Sequence, residues 1–136
     1  MIELERIHAC NGEIVAIVVK NEFKRDGFNF ISESHYPLQV GINSYEKEEK
    51  IKPHIHVNRD IKVETLQEVV YIKSGKVKVD LYDSQKVKVR SLILSAGDLV
   101  FLVGGGHGFN MLEDTVIFEV KQGPYAGKAQ DKVVIS

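Results

Sequence analysis

Two stretches close together in the chain, "KVKVDLY" (Lys76–Tyr82) and "KVKVRSLIL" (Lys86–Leu94), alternate apolar and polar residues. Successive side chains of a β-strand point to opposite faces, so this period fits a strand with one buried side and fits no helix. Val77, Val79 and Leu81 share one face, and Lys76, Lys78 and Asp80 share the other. Val87 and Val89 oppose Lys86, Lys88 and Arg90 in the same way. The short link "DSQ" between the stretches predicts a hairpin. Comparable runs occur at "EIVAIVVK" (Glu13–Lys20), "FNFISES", "PLQVGINSYE", "QEVVYIKSG" (Gln67–Gly75), "LVFLV" and "TVIFEVKQ" (Thr115–Gln122), separated by turn signals such as Asp26-Gly27 and Ala96-Gly97-Asp98. The tail "GPYAGKAQDKVVIS" opens on a helix and strand breaker and ends on a strand-like "KVVI". No window long enough for a helix carries helical periodicity. The prediction is an all-β sandwich or barrel.

A length of 136 residues fits a single domain, residues 1–136, with a real core. A net charge of −1 argues against nucleic acid as a partner and against a polybasic membrane anchor. The lysine stripe is therefore read as a solvated sheet face that also discourages edge pairing. "IVAIVV" (Ile14–Val19) is too short to span a bilayer, and "MIELERIHAC" does not resemble a signal peptide, so a cytoplasmic location is expected. Cys10 is the only cysteine, which excludes an intrachain disulfide and a cysteine-based zinc site. Its surroundings suggest a small apolar residue.

The chemistry-bearing residues begin with "KIKPHIHVN" (Lys50–Asn58). Residues two apart on a strand face the same side with Cα atoms ~6.6 Å apart, so His54 and His56 could clamp one cation. Alone, the pair fits a solvated strand face equally well. Glu68 opens an apolar strand and shares the parity of Val70 and Ile72, while His107 follows the glycine run Gly104–Gly106. Three imidazoles and a carboxylate suit Zn, Fe, Mn, Co or Ni. The glycine run lacks the Lys-Ser/Thr of a phosphate loop, and no nucleophile motif is present.

Together "HIH", the E-x6-G of "EVVYIKSG" and "GDLVFLVGGGHGFN" resemble the cupin superfamily over roughly Gln39 to Val120. The sequence departs from the family pattern at Glu48, where a glycine is usual, in the long "VNRDIKVETLQ" before Glu68, at Val103 in place of proline, and at Asn110. The resemblance implies a cupin-type jelly-roll β-barrel with its metal-site core at about residues 39–120. One divalent ion would be held by His54, His56, Glu68 and His107. Glu64 competes with Glu68 for the carboxylate role but would break the E-x6-G spacing. Inward residues Gln39, Tyr45, Val70, Ile72, Phe101 and Phe109 would shape the pocket. Glu119 is ambiguous: if Val116, Phe118 and Val120 are core, it faces out.

The resemblance implies a metal-dependent enzyme of dioxygenase, isomerase or lyase type acting on a small polar molecule. "FEVKQGPYAG" is similar to the last strand of small cupins from surface-polysaccharide gene clusters and adds a carbohydrate-related context. The alternatives are a non-catalytic module binding metal or small ligand, and a metal-free structural jelly roll. Family members commonly dimerise through sheet edges, and "EIVAIVV" would suit such pairing, so a homodimer is expected. Residues 57–67 would be an enlarged loop or a lid.

Overall fold

The computed structural model describes residues 3–127 and 132–135. The chain divides into two compact units: Lys24–Thr65, and a larger unit built from the chain up to Phe23 and from Leu66 onward. Among the described residues the larger unit holds eight strands: β1 (Leu4–His8), β2 (Ile14–Val19), β3 (Glu68–Ser74), β4 (Lys76–Tyr82), β5 (Lys88–Ser95), β6 (Leu99–Leu102), β7 (Gly106–Met111) and β8 (Val116–Lys121). They form two antiparallel sheets, one ordered β1-β2-β6-β3-β8 and the other β5-β4-β7.

The all-β expectation holds, and the alternating residues of β4 fall where their period requires, whereas Val87, expected on the inner face with Val89, lies in the turn before β5 and is 60% exposed. Val77, Val79 and Leu81 are fully buried, in one cluster with Val70, Ile72, Val100 and Leu102 of the larger sheet. Each such side chain contributes roughly 1.5–3 kcal/mol through burial. Lys76 is exposed, while Lys78 and Asp80 lie partly exposed on the far side. β4 and β5 form the predicted hairpin, turned by Asp83, whose carboxylate accepts hydrogen bonds from the amides of Gln85 and Val87 at 2.9 Å each.

The closed barrel does not form. Strand pairing stops at β1 and β8 in one sheet and at β5 and β7 in the other, so both sheets are open. A barrel needs its last strand to pair with its first. This overturns the cupin resemblance and the jelly-roll fold class drawn from it. The stretches expected to add strands, "FNFISES" and "PLQVGINSYE", make only isolated antiparallel bridges, Gly27↔Ser44 and Phe30↔Gly41. Side chains add to the few backbone bonds there: the Asn43 side-chain oxygen accepts from the Asn29 amide at 2.8 Å, and the Ser32 hydroxyl from the Val40 amide at 2.9 Å. After them, Glu46–Lys52 is almost wholly charged, and Pro53 has no amide hydrogen to give a ladder. Residues 51–64 form no regular structure and are exposed throughout.

Further differences concern strand placement. β2 lies between β1 and β6, so the edge expected to serve dimer pairing is already used within the chain. "KVVI" pairs with no strand. β7, which starts at the end of the glycine run and carries His107, is a strand paired with β4.

The tight turn from β5 to β6 is held by a buried carboxylate. Asp98 accepts from the Lys20 ammonium at 3.0 Å, the Asn21 amide at 2.9 Å and the Ser95 amide at 2.8 Å. Asp98→Ala strands these donors at a nearly buried position and is expected to lower stability by about 2–4 kcal/mol, measured by urea denaturation.

Candidate functional site

The larger unit contains a cavity of about 750 Å³ whose walls include Glu68, His107, Glu119 and Lys121. Leu66, Leu102, Phe109 and Ile117 supply its apolar surface. The strands deliver these side chains by parity and register. Val70 and Ile72 are fully buried, and Glu68 continues their face to the strand end, so its carboxyl points inward with only 15% of its side chain exposed. In the pairing of β3 with β8, Val70 stands opposite Glu119 and Glu68 opposite Lys121. Directly opposed residues share a sheet face, which carries Glu119 and Lys121 to the same side as Glu68. His107 comes from β7, opposite Leu81 of β4.

The glycines before β7 allow a close backbone approach. Gly105 has φ +67°, and a Cβ there would come within 2.1 Å of the Tyr82 carbonyl oxygen. Any side chain at this position would push the loop off β4 and shift His107 with it.

The electrostatics centre on two carboxyls. Burial, together with a hydrogen bond to Glu119 and its charge, pushes Glu68 up to about 8, against the opposing pull of Lys121 and Lys132. Glu119 moves down, chiefly through that hydrogen bond from Glu68, helped by the Lys121 and Lys132 charges. At neutral pH Glu68 is therefore the protonated donor and Glu119 the carboxylate acceptor. Desolvation pushes His107 down although 33% of its side chain stays exposed, so its imidazole is neutral there. Its Nε2 lies 3.7 Å from Glu68 Oε2, beyond hydrogen-bond range. The cavity thus holds an acid, a carboxylate and a neutral imidazole within reach of one small molecule. Lys121 also extends its ammonium over the Tyr125 ring, 5.5 Å from the centroid.

Of the residues expected from sequence, Glu68 and His107 come together. His54 and His56 belong to the other unit, where both are exposed and lie on no strand. Their rings meet edge to face at 5.1 Å, and His54 Nδ1 lies 2.8 Å from the Lys52 carbonyl oxygen. Glu64 is exposed beside Lys62 at 3.4 Å. Among the described residues no group of three or more His, Cys, Asp or Glu is arranged to hold a metal ion. With the barrel unformed as well, the metal-dependent enzyme reading and the metal-binding description lose their structural basis. Of the expected pocket residues, Phe109 lines the cavity, whereas Val70, Ile72 and Phe101 are completely buried. Gln39 and Tyr45 lie in the smaller unit, where Gln39 donates to the Glu33 and Tyr36 carbonyls at 2.8 and 3.0 Å.

Glu119, left ambiguous by the sequence, and Lys121, which sequence reasoning missed, both line the cavity. Val116, Phe118 and Val120 look like the core face of β8, yet they are 49%, 53% and 55% exposed. Phe118 instead stacks on Tyr71 at 6.2 Å and carries the Lys73 ammonium over its ring.

No family model matches the chain, and no curated protein or solved structure does either.

The carboxyl pair makes stability depend on pH. Between the ordinary 4.5 and about 8, the folded protein keeps a proton on Glu68 that the unfolded chain has released. Stability from this group therefore falls as pH rises through that window and levels above it. Glu119 acts oppositely, contributing stability above the ordinary carboxylate value that is lost as pH falls through its lowered one. Glu68→Gln is expected to remove the decline between pH 5 and 8, measured by urea denaturation at both values. In Glu119→Gln, the Glu68 carboxyl midpoint read by carbon-13 NMR should drop but stay above 4.5, because burial is the larger cause.

Proposed function

We propose that this protein is a metal-free, non-catalytic binding domain for a small polar molecule, which sits in the cavity lined by Glu68, His107 and Glu119. The observation that carries this reading is the convergence of these polar groups, beside the apolar walls of Leu66, Leu102, Phe109 and Ile117, on one space of about 750 Å³, a volume suited to a small molecule. Apolar walls with a few convergent polar groups are the usual make-up of such sites. The polar groups here are mutually strained in their protonation: a carboxyl kept neutral by burial beside a carboxylate. A ligand that donates hydrogen bonds can engage these carboxyls from the cavity.

The test is a nitrogen-15 NMR screen of the full chain against small polyols, acids and amines. A binder should shift amides at the start of β3, along β7 and at the end of β8. Glu119→Gln should weaken it about tenfold, the loss of one charge-assisted hydrogen bond. Dialysis against EDTA should leave the melting temperature and the binding unchanged. A screen without cavity shifts, a chelator-sensitive site, or conversion of the bound compound would each defeat the reading.

A further inference from the structure

One wall of the cavity is a segment outside the sheets. Lys132, Val133, Val134 and Ile135, near the chain's C-terminal end, line the cavity together with the strands. Ile135 packs against β7: its Cδ1 lies 2.6 Å from the point where a Cβ on Gly106 would stand. Glycine at 106 leaves a seat that an aliphatic group fills, and any larger residue would displace it. Val133 and Val134 remain largely exposed, at 80% and 74%. The segment therefore rests on the cavity without burying most of its own surface, and it pairs with no strand. Such a contact is weakly held, because little apolar area leaves water.

The segment's chemistry indicates what the cavity accepts. It is a primary ammonium followed by aliphatic side chains. Lys132 stands close enough for its charge to act on Glu68, on Glu119 and on His107. The charged and titratable groups lining the space are Glu68 from β3, His107 from β7, Glu119 and Lys121 from β8, Tyr82 from β4, and Lys132 itself; β6 contributes only Leu102. Lys121 is directed in part to the Tyr125 ring. The carboxyl pair shares a proton, so a cation brought to it can replace that proton, whereas an anion would meet Glu119.

We propose, building on the binding reading above, that the ligand of this cavity is a primary amine on a short aliphatic stem, seated at the Glu68–Glu119 pair in place of Lys132–Ile135. The ammonium donates to both carboxyls, and the stem lies along Leu102, Ile117 and the Gly106 seat. Binding at neutral pH releases the proton of Glu68 to solvent, and the affinity rises with pH towards 8.

The test uses the full chain and three probes of one shape: butylammonium chloride, sodium butyrate and butan-1-ol, at constant ionic strength. Butylammonium should shift the amides of Glu68, His107 and Glu119, and the other two should not. Lys132→Ala, which removes the competing ammonium, should tighten butylammonium severalfold, and Glu119→Gln should weaken it about tenfold. Calorimetry at pH 7 in buffers of different ionisation enthalpy should report proton release. Should Glu119→Gln fail to fold, the wild-type probe comparison and Lys132→Ala decide the matter. Butyrate or butanol binding at these amides as well as butylammonium would overturn the amine assignment and leave the binding reading standing. Weaker butylammonium binding by Lys132→Ala would overturn the competition with the tail. Absence of cavity shifts with every probe, in the wild type and in Lys132→Ala, together with an empty wider screen, would overturn both readings.

Discussion

The face-to-face burial of Val77, Val79 and Leu81 against Val70, Ile72, Val100 and Leu102 is the contact on which the rest of the larger unit depends. It joins the centre of the three-stranded sheet to the interior strands of the five-stranded one. Because side chains alternate along a strand, seating these residues fixes which face every neighbouring position presents. A one-residue slip in β3 would expose Val70 and Ile72 and turn Glu68 away from the cavity. Core and candidate site therefore share one register.

The cavity begins where the apolar face of β3 ends. Ile72 and Val70 are closed over completely, and Glu68 is the next residue of that face. Across the ladder, β8 replaces apolar residues with Glu119 and Lys121 in the corresponding positions. On β7, glycines at 106 and 108 keep the strand slim around His107. Polar groups and missing side volume thus coincide at one end of the sheets, and the Gly105 turn against Tyr82 sets the cavity's rim.

Much of this order was legible in the chain. Short strand-like runs marked β2, β3, β4 and β5, and the inward parity of Glu68 followed from Val70 and Ile72. What misled was local pattern without partners. Val116, Phe118 and Val120 are more apolar than Ile117, Glu119 and Lys121 taken together, yet the second set shares the side of Glu68 and lines the cavity, with Glu119 still exposed. Register with β3 decides this, and register is a property of the pair of strands. The histidine pair failed for a related reason. "HIH" has strand-like spacing, but residues 51–64 join no ladder, so the spacing imposes no shared face. Motif spacing had suggested a barrel, while closure depends on which strands pair, and the short stretches around Phe30 and Gly41 make bridges only.

Two inward carboxyls of this unit show why one reads as structural and the other as functional. Asp98 receives donors from Lys20, Asn21 and Ser95, each at 3.0 Å or less, and so ties β2 to the turn before β6. Its charge is answered within the fold, and it is not among the residues that line this cavity. Glu68 is buried with another carboxyl as its hydrogen-bond partner, and that arrangement raises it to about 8. A core needs no such pair, since an apolar residue continuing Val70 and Ile72 would be more stable there. Destabilising groups held in place beside an open cavity are a mark of sites kept for a ligand. The residue opposing Glu68 is a lysine, and the carboxylate that accepts its hydrogen bond is Glu119. Both charges therefore come from β8, whose register places acid and base side by side on one wall.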